Sequence, residues 1–374
     1  MSIELYLSAD YELYFARNRL PEAEVLIPPT QQLMAQCEAV HAPLTLFCDV
    51  ACLMRYQQWG ELDFVRAVEQ QLQEAIRRGH DVQLHLHPHW FRTQRDDQGG
   101  YQFAPEDYLL GSYEPDPAQQ PAQFDQMIGQ GKAYLETLLQ GVDSHYQCNS
   151  FRGGGYGLQP GTEALFTALQ KHGVVVDSSV VPGYYLKTAV HRVDFREMVG
   201  RSNQWFGPEH GLSSSAPKGG GLFEVPIGAA NLPDVPSWNA WPEALGRCMN
   251  TLRYGGPAQD PRGEPVGWQS PPLLPWHKRP KQAWWDLHAV RNRGFAKLEM
   301  HSSSRLMLAI MEGHLEREAP YEGTHYLSMN GHPKGMFQPH FHALGQFVKQ
   351  VRARYGQGVH FLTFTDLAQR FDGS

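Results

Sequence analysis

Short runs of alternating apolar and polar residues take turns along the chain with longer segments in which apolar residues recur at helical spacing. The two-residue alternation over 3–8 predicts a strand that ends near Asp10, and the helical spacing of apolar residues within 61–78 predicts a helix that Gly79 ends. The same patterns predict strands at 44–48, 82–86, 148–151, 174–176, 222–226, 297–300 and 359–362, and helices at 29–40, 124–139, 160–172, 341–354 and from 365 onward. This order indicates βαβ units and a parallel sheet, either open or closed into a barrel.

Three long stretches interrupt the alternation, at about 91–122, 183–221 and 232–290, and all are rich in Pro, Gly, Trp or Ser. Loops of this length inside a compact domain are usually functional or carry local structure of their own. The 374 residues therefore fit one large domain over 1–374 with three insertions.

Composition narrows the class of protein. The net charge of -7, from 32 Lys and Arg against 39 Asp and Glu, argues against a broad nucleic-acid footprint. No apolar run reaches the ~18 residues of a membrane span, and acids at Glu4 and Asp10 do not fit a signal peptide. Five scattered cysteines without a C-x-x-C pair argue against a disulfide framework and a cysteine zinc site. We expect a cytoplasmic protein.

Charged and imidazole side chains follow the predicted strands. Asp10 and Glu12 follow the first predicted strand, and His85, His87 and His89 lie at and just beyond the end of the strand at 82–86. Arg152 follows the strand at 148–151, Asp177 follows 174–176, and His301 follows 297–300. Because reactive groups of a parallel barrel project from the carboxyl ends of its strands, we expect these residues at one rim.

Three histidines within five residues suit a divalent metal, since imidazole is the commonest neutral metal ligand. Pro88 bends the chain and lets His85 and His89 converge, and the nearby carboxylates could complete the coordination. His87 falls on the same face of the strand as His85, so it either lines the pocket or is a third ligand.

Four segments together resemble the motifs of the polysaccharide deacetylase superfamily, the NodB-homology type, and particularly its intracellular bacterial branch found with surface-polysaccharide genes. They are Ser-Ala-Asp-Tyr-Glu at 8–12, Gly-His-Asp-Val-Gln-Leu-His at 79–85 with a histidine four residues on, Arg-Gly-Gly-Gly-Tyr-Gly at 152–157, and Leu-Glu-Met-His at 298–301. They occur in the family's order and span most of the chain.

The resemblance implies a distorted (β/α) barrel of seven or eight strands and a hydrolase that removes an N-acetyl or similar amide-linked group from a carbohydrate, in surface-polysaccharide metabolism. It makes Asp10 the general base, Arg152 its orienting partner and His301 the general acid. It assigns one divalent ion, zinc, to Glu12, His85 and His89. We assign substrate contacts to His87, Tyr156 and Asp177, with the backbone N–H near Tyr156 contributing to an oxyanion hole. The alternative role for Asp177 is to cap a turn.

The sequence departs from the family at three places. Tyr11 separates Asp10 from Glu12, whereas the family usually has an Asp-Asp pair, so the choice between the two carboxylates as the metal ligand stays open. The segment 152–157 has one residue more than the usual motif and no Pro, and the family's acidic-Trp motif is not found, since 284–286 reads Trp-Trp-Asp.

Other interpretations stay open. An amidohydrolase acting on a small non-sugar amide also uses H-x-H at a barrel rim, and a metal on His85 and His87 would favour it, whereas His85 with His89 favours the deacetylase. The missing acidic-Trp motif fits a catalytically silent carbohydrate-binding protein. A dinucleotide site at Gly153 and Gly155 lacks the third glycine, because Leu158 occupies that position.

Overall fold

The computed structural model describes residues 2–231, 241–256, 260–264, 273–292 and 295–372. The strands of its main sheet are β1 (Ser2–Tyr11), β2 (Leu44–Asp49), β3 (Asp81–Leu86), β4 (Ser150–Gly153), β5 (Val176–Asp177), β6 (Trp205–Phe206), β7 (Leu222–Glu224), β8 (Thr324–Met329) and β9 (Val359–Phe361). The helices are α1 (Glu22–Ala39), α2 (Val50–Gln58), α3 (Leu62–Arg77), α4 (Gln120–Leu139), α5 (Thr162–Lys171), α6 (Trp241–Tyr254), α7 (Arg279–Asn292), α8 (Ser304–Arg317), α9 (Gln338–Tyr355) and α10 (Phe364–Asp372).

The main sheet curls into a distorted barrel. Its strand order is β6-β7-β5-β4-β3-β2-β1-β8, with β9 pairing to the first half of β1, and every pairing except β6 with β7 is parallel. A parallel bridge between Ile227, just beyond β7, and Ser328 of β8 joins the two ends of this order. The α/β barrel that the sequence analysis predicts is confirmed.

The strands have an outer face toward the helices and an inner face toward the barrel. In β1, Leu5 and Leu7 belong to the large apolar cluster that includes the helices, whereas Tyr6 belongs to a smaller one inside the barrel. Phe364 and two neighbours from α10 complete this inner cluster. Above it the interior is polar, because Ser8 and Asp10, the next inward positions of β1, meet Arg152.

The predicted strand at 297–300 forms only in part, and a barrel strand was missed. Ala296–Lys297 forms a strand that pairs antiparallel with Ala229–Ala230 outside the main sheet, and Glu299 forms a parallel bridge with Asn330, just beyond β8. The barrel position beside β1 is taken by β8, whose inward residue Ser328 hydrogen bonds to Arg152. Helices α2 and α8 were also missed.

The insertions contain small ladders and turns. Gln94–Arg95 pairs with Tyr101–Gln102 in the first, and Tyr185–Lys187 pairs with Arg192–Asp194 in the second. The stretch 232–290 contains α6 and α7, while its segments 232–240, 257–259 and 265–272 lie outside the described residues. Among the helices that the model describes, none has the length and apolar composition that crossing a membrane requires.

Candidate functional site

Asp10 is held by an arginine that fills the upper barrel interior. Nη1 of Arg152 lies 2.9 Å from Oδ1 of Asp10, and Nδ2 of Asn330 donates to Oδ2 at 3.0 Å. Nη2 of Arg152 donates to Oγ of Ser8 at 2.8 Å and to Oγ of Ser178 at 3.0 Å. Burial would raise the pKa of Asp10, but Arg152, His85 and His332 together outweigh it, and the pKa is lowered. The carboxylate is therefore charged and fixed in direction.

Glu12, His85 and His87 form a buried cluster at the carboxyl ends of β1 and β3. Oε2 of Glu12 lies 3.2 Å from Nε2 of His85 and 2.9 Å from Nε2 of His87. One potential ligand atom from each residue lies within 4.8 Å of the other two. The strand alternation that puts residues 85 and 87 on one face thus brings both imidazoles to the same carboxylate.

Neighbouring groups fix the imidazole of His85 and the backbone at His87. Nδ1 of His85 lies 2.7 Å from the carbonyl oxygen of Arg152, so an N–H at Nδ1 donates there and Nε2 faces Glu12. The backbone N–H of His87 donates to Asp49 at 3.1 Å. Gly154 passes directly under the His87 ring, where a Cβ would come within 2.6 Å of it. The glycine run at 153–155 therefore lets the chain approach this ligand closely.

Two residues that sequence reasoning missed complete the surroundings of the carboxylates. Nζ of Lys334 lies 2.7 Å from Oε1 of Glu12, and Nε2 of His332 lies 3.4 Å from Oδ2 of Asp10 and 3.6 Å from Oε1 of Glu12. Burial would raise the pKa of Glu12, but Lys334 and His87 bring it well below its usual range. Both missed residues follow the missed strand β8, so the alternation within Thr324–Met329 was the available signal.

His89 lies outside the cluster of Glu12, His85 and His87. Pro88 begins a short 3-10 turn over Pro88–Phe91 that carries the His89 ring among aromatic side chains. Its centroid lies 4.1 Å from that of Phe103 and 4.9 Å from that of Phe15. Burial lowers its pKa well below the usual value, so the ring is neutral. The structure brings His87, not His89, to Glu12.

The carboxylates open into a cavity of about 510 Å³, the inner cavity. Its lining includes Asp10, Glu12, His87, His332 and Lys334, together with Tyr14, Phe15, Tyr108, Tyr156, Tyr184 and Lys297. Aromatic walls with a few convergent polar groups are typical of small-molecule sites.

Tyr156, to which the sequence analysis assigns a substrate contact, lies in the wall of this cavity. Its backbone is in the left-handed region at φ 62°, directly after Gly155 at φ 61°. Nζ of Lys297 donates to the tyrosine hydroxyl at 3.0 Å and lies 2.7 Å from Glu299. Burial would lower the pKa of Lys297, but Glu299 and Tyr156 hold it well above the usual value. A charged ammonium thus fixes the Tyr156 hydroxyl at the cavity wall.

His301 and Asp177 are not among the described residues that line the inner cavity. Nε2 of His301 lies 3.2 Å from the carbonyl oxygen of His332, and burial together with the neighbouring His332 lowers its pKa to about 3. The fully buried Asp177 accepts hydrogen bonds from the hydroxyl and N–H of Ser179, as a turn-capping residue does. His332, in contrast, lines the inner cavity.

The residues present fit a divalent metal ion. Two imidazoles and one carboxylate converge, Nδ1 of His85 is tied to a carbonyl, and Lys334 occupies the oxygen of Glu12 that faces away from the histidines. This donor set is typical of a catalytic zinc site with three protein ligands. Glu12, His85 and His87 would hold the ion.

Comparison with known proteins gives similarity in overall structure. Neither a family model nor a curated protein sequence matches the chain. Among crystal structures, it is similar to a protein assigned as a polysaccharide deacetylase from Mycobacterium smegmatis, with a TM-score of 0.45 and 14% identity. It is also similar to the Puue allantoinase, with a TM-score of 0.41 and 12% identity. A third similar structure is a protein assigned as a polysaccharide deacetylase from Pseudomonas aeruginosa PAO1, with a TM-score of 0.41 and 11% identity. Each match covers 100% of this chain and 91% of the other.

Proposed function

We propose that this protein is a metal-dependent hydrolase of C–N amide bonds that removes an N-acetyl or similar group from a carbohydrate. The observation that carries the proposal is the cluster of Glu12, His85 and His87 beside the oriented carboxylate of Asp10, all at one rim of a parallel barrel. The aromatic walls of the inner cavity suit the apolar faces of a sugar ring.

Zinc is the ion we expect at Glu12, His85 and His87, because two imidazoles and one carboxylate are a common catalytic zinc set. A divalent ion bound there would polarise the amide carbonyl and lower the pKa of a coordinated water toward ~7.

Asp10 is placed to take the proton of the attacking water. Its Oδ1 is held by Arg152 and its Oδ2 by Asn330, so the carboxylate is fixed and each oxygen keeps a lone pair for a further proton donor. The lowered pKa keeps this carboxylate ionised before reaction.

The amine that leaves when the C–N bond breaks needs a proton. His332 lines the inner cavity with Nε2 3.4 Å from Asp10, whereas His301 lies behind it against its carbonyl. We therefore assign proton donation to His332. The fixed hydroxyl of Tyr156 and the backbone N–H groups of its left-handed turn are candidates to contact the carbonyl oxygen.

Acetate release from a panel of N-acetylated sugars and glycans tests this function. We expect release that a chelator abolishes, that added zinc restores, and that the Glu12→Gln variant lacks. Purified protein that binds no divalent metal would contradict the proposal, and so would release that survives chelation.

One observation favours a second function, the hydrolysis of a small non-sugar amide. The cluster pairs His85 with His87, the H-x-H arrangement expected of an amidohydrolase. That superfamily usually has H-x-H after its first strand, whereas here it ends β3. A parallel panel of small linear and cyclic amides distinguishes the two, and glycan binding without release from either panel would indicate a silent carbohydrate-binding protein.

A further inference from the structure

Helices α6 and α7 of the third insertion pack against each other through small residues. Ala244, Cys248 and Thr251 are buried on one face of α6, and Ala283 of α7 is buried as well. The hydroxyl of Thr251 donates to the carboxylate of Asp286 in α7. Small side chains let two helices approach closely, so the large apolar side chains of α6 lie elsewhere on its surface. We call this pair of helices the α6–α7 hairpin.

The large apolar residues of α6 form a stripe on its solvent-exposed side, the α6 stripe. Trp241, Leu245, Met249 and Leu252 follow one another at steps of four, four and three residues, and each is between 48% and 61% exposed. Residues at these steps lie along one side of a helix. The larger apolar side chains of α6 therefore meet solvent, while its smaller residues face α7.

Exposed apolar side chains are concentrated in this hairpin. Of the fifteen large apolar side chains that are exposed among the described residues, nine lie within 241–256 and 273–285. Besides the α6 stripe they include Trp276, Trp284 and Trp285, and Trp276 is 78% exposed. Scattered apolar residues are normal on a protein surface, whereas a concentration of them marks an interaction site.

The hairpin is basic although the protein is acidic. The ranges 241–256 and 273–292 contain six Lys and Arg and two acidic residues, whereas the whole chain has a net charge of -7. Both acids make contacts within the protein, because Glu243 accepts the N–H of Ser303 at 2.8 Å and Asp286 accepts the hydroxyl of α6. Lys278 and Lys281 are exposed. A negatively charged partner complements this surface.

We propose that the α6–α7 hairpin docks on an anionic lipid surface, with the α6 stripe and the exposed tryptophans among the lipid headgroups. A helix that has Trp and Leu along one side and Lys or Arg beside them lies in the plane of the membrane interface and does not cross the bilayer. A symmetric contact between two copies of this chain would instead bring one basic hairpin against another, and like charges repel. The inference is independent of the proposed function.

Co-sedimentation of the protein with lipid vesicles tests the inference. Phosphatidylcholine vesicles that contain about 30% phosphatidylglycerol should bind the protein at least about tenfold more tightly than pure phosphatidylcholine vesicles, since each basic residue near an anionic surface contributes roughly fivefold. Added salt should weaken the binding, because mobile ions screen charges at a surface.

Two matched pairs of variants locate the contact. Met249→Glu places a charge in the α6 stripe and should weaken binding to anionic vesicles by about tenfold or more. Leu62→Glu places the same charge at an exposed apolar residue of α3 and should leave binding unchanged. Lys281→Glu should weaken binding by at least about fivefold, whereas Lys349→Glu, at an exposed lysine of α9, should have a much smaller effect. Far-UV circular dichroism checks that all four variants fold.

The absence of binding to anionic vesicles at low ionic strength would overturn the inference, and so would equal binding by Met249→Glu and Leu62→Glu. Light scattering at several protein concentrations tests a second copy of the chain as the occupant. Dimerisation that Met249→Glu abolishes, in protein that does not bind vesicles, would assign the α6 stripe to a second copy and overturn docking on lipid.

Discussion

Nζ of Lys334 lies 2.7 Å from Oε1 of Glu12, and both residues are buried. The other oxygen of Glu12 faces the Nε2 atoms of His85 and His87. The carboxylate is thus shared between a fixed ammonium and the pair of imidazoles, and each oxygen has its own partner.

Removal of the Lys334 ammonium should increase the contribution of a bound metal ion to the thermal stability of the protein. Lys334→Met leaves a buried carboxylate without its cation, which typically costs about 3–5 kcal/mol. A bound divalent ion would supply the missing positive charge, so the rise in Tm on adding zinc should be larger in Lys334→Met than in the unaltered protein. Thermal unfolding with chelator and with zinc measures both. Equal rises in Tm would show that the ion does not share Glu12 with Lys334.

Variants of His87 and His89 test which histidine binds metal. His87→Ala removes an imidazole that faces Glu12 at 2.9 Å, so we expect zinc affinity to fall by more than about 100-fold, beyond the usual effect of losing an outer partner. His89→Phe replaces a ring that packs among aromatic side chains and should keep full zinc stoichiometry. Metal analysis after dialysis and a competitive zinc titration measure this. Loss of zinc in His89→Phe with retention in His87→Ala would reverse the assignment.

The proton donor can be identified by comparing two neighbouring histidines. His332→Ala should lower kcat by about 10²–10⁴-fold, the usual contribution of a general acid, with a smaller change in KM. His301→Ala should keep most of the activity, since its ring contacts the carbonyl of His332 and does not line the inner cavity. Steady-state kinetics on the best substrate of the panel measures both. A larger loss in His301→Ala would restore the assignment made from the sequence.

The sequence predicted the site residues of β1 and β3 better than those that follow β8. In β1 and β3 the alternation of apolar residues is clear, so the positions of Asp10, Glu12 and His85 at strand ends followed from it. Strand β8 was missed because its inward residues Tyr326 and Ser328 are partly polar, and their burial depends on partners far away in the chain. His332 and Lys334 were missed with it.

The choice between His87 and His89 could not be made from spacing alone. The two-residue period of a strand predicted that His87 lies on the same face as His85, whereas the resemblance favoured His89, four positions after His85. The 3-10 turn that begins at Pro88 decides the direction of the His89 ring, and the pocket of Phe15 and Phe103 that receives it is assembled from other segments.

Two adjacent glycines give a matched test of the backbone under His87. A Cβ at Gly154 would lie 2.6 Å from the His87 ring and 2.6 Å from the carbonyl of Leu86, whereas a Cβ at Gly153 meets nothing closer than 3.5 Å. Gly154→Ala should therefore displace the imidazole and weaken zinc binding by roughly tenfold or more, the effect of a lost supporting contact. Gly153→Ala should bind zinc as the unaltered protein does. Equal zinc affinities in the two variants, measured by competitive titration, would contradict this.

His314 of α8 should make stability fall in mild acid. Burial, together with Arg317 and His325, lowers its pKa to about 3, and its Nδ1 accepts the N–H of Ala229. The unfolded chain takes up a proton here below its ordinary pKa of about 6.5, while the folded protein does not, so folding loses stability as pH falls from about 6.5 toward 3.

His314→Asn removes this difference in proton uptake. The variant should be less stable than the unaltered protein at pH 7, but the gap should narrow by roughly 2 kcal/mol by pH 5, since one proton is worth about 1.4 kcal/mol per pH unit. Urea unfolding at pH 7, 6 and 5 measures the gap. Parallel stability curves for the two proteins would show that His314 is protonated in the folded state.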